Sequence, residues 1–109
     1  MKKYTEKDLE TFERDEQGWL ICPSGDYTAI RIFPAKCLFG GGCIFGWRSV
    51  FEDECTFSEN CIFDKNCTFG EKCVFGYGCV FGKLSSFGRG CIFSYGCIFG
   101  EECIWHVNV

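Results

Sequence analysis

Cysteine is the residue whose type and spacing in this sequence could most readily support chemistry. Ten of the 11 cysteines recur at every sixth position between Cys37 and Cys103, with serine at the two other positions. Zinc sites use closely spaced Cys-x₂₋₄-Cys pairs, which the repeat does not contain. The odd count and the absence of a secretion signal also argue against a disulfide framework. We therefore expect buried free thiols that pack as small apolar groups, with no metal or cofactor.

Two further groups could serve in acid–base catalysis, namely His106, the only histidine, and the acidic triplet at residues 52–54. A catalytic site needs a pocket, and the repeat has no inserted loop to build one. We expect His106 to be a solvated corner residue and the chain not to be an enzyme. The carboxylates are expected to form weak surface ion pairs instead. Two such pairs are predicted: Glu54 with Lys72, and Glu71 with Arg89.

These residues belong to a repeat of twelve hexads that runs from Cys37 to Asn108 without insertion or deletion. Positions one and three of a hexad are Cys and Phe in nearly every unit, and position two is usually aliphatic. Because side chains alternate between the two faces of a strand, the residues at positions one and three face one side and the residue at position two faces the other. Positions four to six are mostly Gly, Asn or charged, which is typical of a bend. Each hexad is therefore predicted to be a strand and a corner.

The repeat resembles the hexapeptide-repeat family of left-handed parallel β-helices, with Phe where that family mostly has Leu, Ile or Val. The resemblance implies an all-β, left-handed triangular parallel β-helix of about four 18-residue coils. We name its faces wall one, two and three, after the hexads that begin at residues 37, 43 and 49. A two-sided 12-residue coil and a pentapeptide-repeat square helix are the alternatives. Tyr77 and Tyr95 occupy the same corner position three hexads apart, which favours the triangular coil. The interior volume also favours it, because a two-sided coil leaves almost no space for Phe side chains.

Residues 1–30 are predicted to form an N-terminal cap, and residues 31–109 the β-helix, within one compact domain. Thr5 can cap a short helix, residues 19–22 read as a strand, and residues 23–26 as a turn. A solenoid needs an atypical unit to cover an open end. Counting back from Phe39 in steps of six reaches three large apolar residues: Phe33, Tyr27 and Ile21.

The outward second positions supply the candidate interaction surfaces. On wall two they form an unbroken aliphatic ladder flanked by two large apolar residues, a pattern typical of an interaction face. We predict a face for self-association or for another protein, comprising Ile44, Ile62, Val80, Ile98, Trp47 and Leu84. The C-terminal edge would present unpaired backbone groups to another strand, which predicts end-to-end dimerisation. That edge consists of Ile104, Val107 and Val109.

Composition limits the remaining functions. The net charge is −4 and the 11 basic residues are scattered, so no nucleic-acid partner is expected. No apolar run could span a membrane, and no signal peptide is visible, so we expect a cytoplasmic protein.

The sequence favours a non-catalytic structural or protein-binding module that forms a homo-oligomer, dimer or trimer, or binds another protein. Small cap-plus-coil proteins of this type look like those that phages or mobile elements encode. One alternative is an acidic rod that inhibits a host enzyme or nucleic-acid-binding protein, as some pentapeptide-repeat proteins do. Another is an acyltransferase-like enzyme, because hexapeptide-repeat acyltransferases use a histidine as general base.

Overall fold

Very short strands alternate with sharp corners throughout the computed structural model, which describes residues 1–106. One helix, α1 (Glu6–Thr11), precedes the strands. The strands of the described chain are β1 (Leu20–Cys22), β2 (Ile32–Phe33), β3 (Cys37–Phe39), β4 (Ile44–Phe45), β5 (Val50–Phe51), β6 (Thr56–Phe57), β7 (Ile62–Phe63), β8 (Thr68–Phe69), β9 (Val74–Phe75), β10 (Val80–Phe81), β11 (Ser86–Phe87), β12 (Ile92–Phe93), β13 (Ile98–Phe99) and β14 (Ile104–Trp105).

The strands form three parallel sheets, one for each predicted wall. Wall one has the order β1-β3-β6-β9-β12, wall two β4-β7-β10-β13 and wall three β2-β5-β8-β11-β14. Within the repeat each strand residue pairs with the residue three hexads further on, as Phe57 does with Phe75. The chain is thus a three-walled parallel β-solenoid of about five turns, which confirms the predicted fold class. The left-handed sense stays a prediction from the resemblance.

The first turn is formed by residues 20–36, ahead of the twelve hexads. Tyr27 and Phe33 are fully buried there, as the count in steps of six predicts. The count is wrong at Ile21, whose side chain is 44% exposed, because Cys22 rather than Ile21 pairs with Phe39. Between Cys22 and its partner Phe39 the chain has one residue fewer than between Asp26 and its partner Ile44. The first turn is therefore one residue shorter at Cys22 than at Asp26.

The phenylalanine rings fill the interior in three columns. Rings at equivalent positions of adjacent coils lie parallel, as Phe57 and Phe75 do with centroids 5.0 Å apart and 1° between their planes. Rings of adjacent walls meet edge to face, as Phe57 and Phe63 do at 5.0 Å and 85°. Such pairs add about 0.5–1.5 kcal/mol each beyond the burial of their apolar area. Rings in the middle coils therefore have partners above, below and on both neighbouring walls.

The first hexad position carries a buried hydrogen-bond donor as well as a small side chain. The thiol of Cys67 lies 3.2 Å from the carbonyl oxygen of Asp64 and 3.4 Å from that of Gly46. The hydroxyl of Ser85 donates to the carbonyl of Gly82 at 3.0 Å. Ser can replace Cys at this position because both supply a donor to a corner carbonyl within the same small volume.

The N-terminal segment covers the first turn. Thr5 and Asp8 form a reciprocal capping box that starts α1. The ring of Tyr4 stacks on Tyr27 at 5.0 Å, and Phe12 meets Tyr4 edge to face at 5.4 Å. The aromatic column of the solenoid thus continues into the cap.

The sixth hexad position turns each corner with a positive φ angle. The backbone N–H of this residue donates to the next coil, as Asn60 does to the carbonyl of Tyr77 at 2.9 Å. Glycine and asparagine adopt such angles most readily. The corner residues with positive φ are Gly42, Arg48, Glu54, Asn60, Asn66, Lys72, Gly78, Leu84, Gly90, Gly96 and Glu102.

Gly42 offers a direct test of this corner geometry. Its φ is +71°, and an added Cβ would meet no atom within 4 Å, so only backbone strain is introduced. We expect Gly42→Ala to lower the free energy of unfolding by about 1 kcal/mol and Gly42→Asn by less. Equilibrium denaturation measures both values. Equal stability of the alanine variant and the wild type would contradict the argument.

Candidate interaction surface

The second hexad residues of wall two lie in one outward column, which we call the aliphatic ladder: Ile44, Ile62, Val80 and Ile98. Strand pairing places each residue directly beside the next. Ile62 and Ile98 are 50% and 61% exposed, whereas Ile44 and Val80 are partly buried. The ladder is therefore a continuous apolar strip on a flat sheet, with exposure concentrated on alternate strands.

The other two walls interrupt their apolar columns with polar residues. Thr56 lies in the outward column of wall one. Thr68 and Ser86 lie side by side in the column of wall three. Among the described repeat strands, only wall two is aliphatic at every second position. The structure thus places the predicted face on a distinct surface.

One side of the ladder is bordered by a mixed-charge edge, which consists of Trp47, Arg48, Asp64, Lys65, Lys83, Leu84, Glu101 and Glu102. All of these residues are exposed. The Trp47 ring lies close to two guanidinium groups, with Arg31 at 4.9 Å and Arg48 at 5.1 Å from its centroid. These cation–π contacts hold the indole at the corner. Trp47 and Leu84 thus flank the ladder where the sequence predicts them.

The other side of the ladder is bordered by a tyrosine edge, which consists of Glu59, Tyr77 and Tyr95. The two tyrosine rings stack at 5.6 Å with 7° between their planes, and Tyr95 is 81% exposed. Sequence reasoning used these tyrosines to count the coil and missed them as surface residues. Their shared corner position in successive coils was the signal that could have identified them.

The cysteines form no disulfides in the described chain, and eight of the 11 are buried. No group of three or more potential metal ligands exists among the described residues. Burial raises the pKa of the Cys67 thiol to about 11. Hydrogen bonding with Cys61 lowers the pKa of the Cys79 thiol. The Cys79 thiol nevertheless lies 3.5 Å from the carbonyl of Ser58, a contact that requires the protonated form.

His106 and the carboxylates lie on open corners. The exposed ring of His106 places Nε2 at 3.3 Å from the hydroxyl of Ser86. Glu71 and Arg89 form the predicted ion pair at 3.0 Å. The predicted pair between Glu54 and Lys72 is wrong, since no contact within ion-pair distance joins these two described residues. Asp53 instead accepts a hydrogen bond from the backbone N–H of Glu71 at 2.8 Å, which fastens adjacent coils.

The C-terminal edge is only partly within the described chain. Ile104 is exposed on β14, and the ring of Trp105 is half exposed. Cys91, Cys97 and Cys103 are also partly accessible there. Val107 and Val109 lie outside the described residues, so end-to-end dimerisation stays a prediction.

The surface of residues 1–106 is made of flat walls and corner edges. No pocket is present on this part of the chain. Its one helix, α1, is far too short to cross a bilayer.

Comparisons with family models, with curated proteins and with solved structures returned no match to this chain.

The exposure of the thiols predicts the order in which they react with an alkylating reagent. Because the thiolate is the nucleophile and burial opposes its formation, native protein should modify slowly at neutral pH and faster as the pH rises. We expect labelling first at Cys91, Cys97 and Cys103, the three partly accessible thiols, and labelling of the other eight only in denaturant. Mass spectrometry after peptide digestion measures the sites. Early modification of Cys67 would contradict its burial.

Proposed function

We propose that this protein is a non-catalytic β-solenoid module that associates with itself through the aliphatic ladder and its two bordering edges. It is a hexapeptide-repeat protein in which the repeat builds a rigid rod and one wall binds. The observation that supports this function most directly is the exposed, in-register column of Ile44, Ile62, Val80 and Ile98. Exposed apolar surface of this kind is the usual basis of protein association.

Rigidity favours association through this wall. The outward side chains are fixed by a strand ladder, and the sheet beneath them rests on stacked rings. For example, the backbone N–H of Val80 donates to the carbonyl of Cys61 at 3.0 Å. A preorganised surface loses little conformational entropy on binding, so a modest apolar area contributes more of its burial free energy to affinity.

The size of the wall sets the expected affinity. A face one hexad wide and four strands high measures roughly 20 Å by 20 Å from strand geometry. Two such faces bury on the order of 800 Å² together, which is below the roughly 1,200 Å² of stable specific interfaces and fits a weak, transient contact. Self-association should therefore depend on concentration and lie in the micromolar range.

The ladder is tested by placing two charges on it. The double variant Ile62→Lys, Ile98→Lys should remain monomeric at concentrations where the wild type associates, because four ammonium groups would be buried in the contact. Sedimentation equilibrium over a concentration series measures the average mass.

The matched control places the same charges at equivalent positions of wall one, Thr56→Lys and Ile92→Lys, which precede the ladder residues by one hexad each. The control should associate as the wild type does. Equal masses for the ladder variant and the wild type at every concentration would refute the proposed function.

A further inference from the structure

We propose that the partner on wall two is a second copy of this chain, lying parallel to the first, with the two-fold axis of the dimer parallel to the solenoid axis. This inference depends on the proposed function for its choice of wall. It adds the orientation of the second copy and the residues that select that orientation.

Each strand of wall two carries one edge residue three positions before its ladder residue and another three positions after it. Strand β7 has Glu59 before Ile62 and Lys65 after it. Strand β10 has Tyr77 before Val80 and Lys83 after it. In the middle of the wall, Glu59 and Tyr77 therefore lie on the side opposite Lys65 and Lys83, with Asp64 beside Lys65.

A two-fold axis along the solenoid places every strand opposite its own copy, running in the reverse direction. Glu59 then faces Lys65 of the second copy, and the symmetry forms this contact twice. Tyr77 likewise faces Lys83 of the second copy, which brings an ammonium group to an exposed ring. No ion pair within the described chain uses Glu59 or Lys65, so both are available.

The outer strands fit the same arrangement. On β4 the two flanking residues are Gly41 and Trp47, so the bulky indole of one copy meets a glycine beside which the Glu59 carboxylate lies, 2.9 Å from where a Cβ of Gly41 would be. On β13 they are Tyr95 and Glu101, a phenol donor and a carboxylate acceptor. All four strands of the wall thus bring complementary groups together.

The antiparallel arrangement brings like edges together. With the two-fold axis parallel to the strands and centred between β7 and β10, Lys65 faces Lys83 of the second copy, twice. The ladder itself does not distinguish the arrangements, because aliphatic contacts have no direction. Charge at the edges therefore selects the parallel dimer.

Charge exchange between Glu59 and Lys65 tests the orientation. Glu59→Lys alone gives two Lys–Lys contacts in its own dimer, and Lys65→Glu alone gives two Glu–Glu contacts. Each single variant should dimerise about tenfold more weakly than the wild type at low salt. An equimolar mixture of the two should recover near wild-type affinity, because each of the two sites of the mixed dimer then pairs an ammonium group of one variant with a carboxylate of the other. Sedimentation of one fluorescently labelled variant against the other measures the mixed dimer.

The matched control is Glu52→Lys, which makes the same change in net charge as Glu59→Lys at an exposed corner away from wall two. It should dimerise as the wild type does. Tighter self-association of Lys65→Glu would instead support the antiparallel dimer and overturn this inference. A ladder-dependent dimer that is insensitive to both single variants also overturns the inference, yet leaves the proposed function intact. A monomer at every concentration refutes both.

Discussion

The structure depends on the return of the chain to the same position after every third hexad. Hydrogen bonds between coils require this register, and the stacked rings require it as well. Phe63 and Phe81, for instance, lie 4.9 Å apart with 2° between their planes. One extra residue in a coil would turn the side chains of the following strand to the other face. The absence of insertions in the hexads is thus a physical requirement of the aromatic interior.

This requirement leaves few positions free to carry function. Positions one and three are occupied by packing, and position six is constrained by its positive φ. Position four is glycine in seven hexads and packs closely on the preceding coil there, as at Gly82, where an added Cβ would lie 2.5 Å from the backbone nitrogen of Lys65. Only positions two and five face solvent without such limits. The apolar and charged residues of the ladder and its borders occur mainly at these positions.

Much of the fold could be predicted from the sequence because the repeat combines strand alternation with a fixed period. Cys61, Phe63 and their equivalents in the middle coils are buried as expected, and the aliphatic ladder lies on one wall. The prediction failed at Ile21, where a shortened turn places Cys22 in the core instead. It also failed for Glu54 and Lys72, because adjacency on the same edge does not orient long side chains towards each other. The donor role of the thiols was missed, since a carbonyl partner in the neighbouring coil leaves no mark in a single hexad.

In the proposed dimer, charge at the borders would matter more for specificity than for affinity. The apolar ladder would supply the favourable free energy of association, and this term would be nearly the same for either direction of a second copy. Exposed charge pairs each contribute little, typically below about 1 kcal/mol. In a two-fold dimer, however, every contact occurs twice, and an unfavourable pair replaces a favourable one when the direction is reversed. Under this proposal, Glu59, Lys65 and Lys83 would discriminate between two arrangements that the ladder alone would leave equally stable.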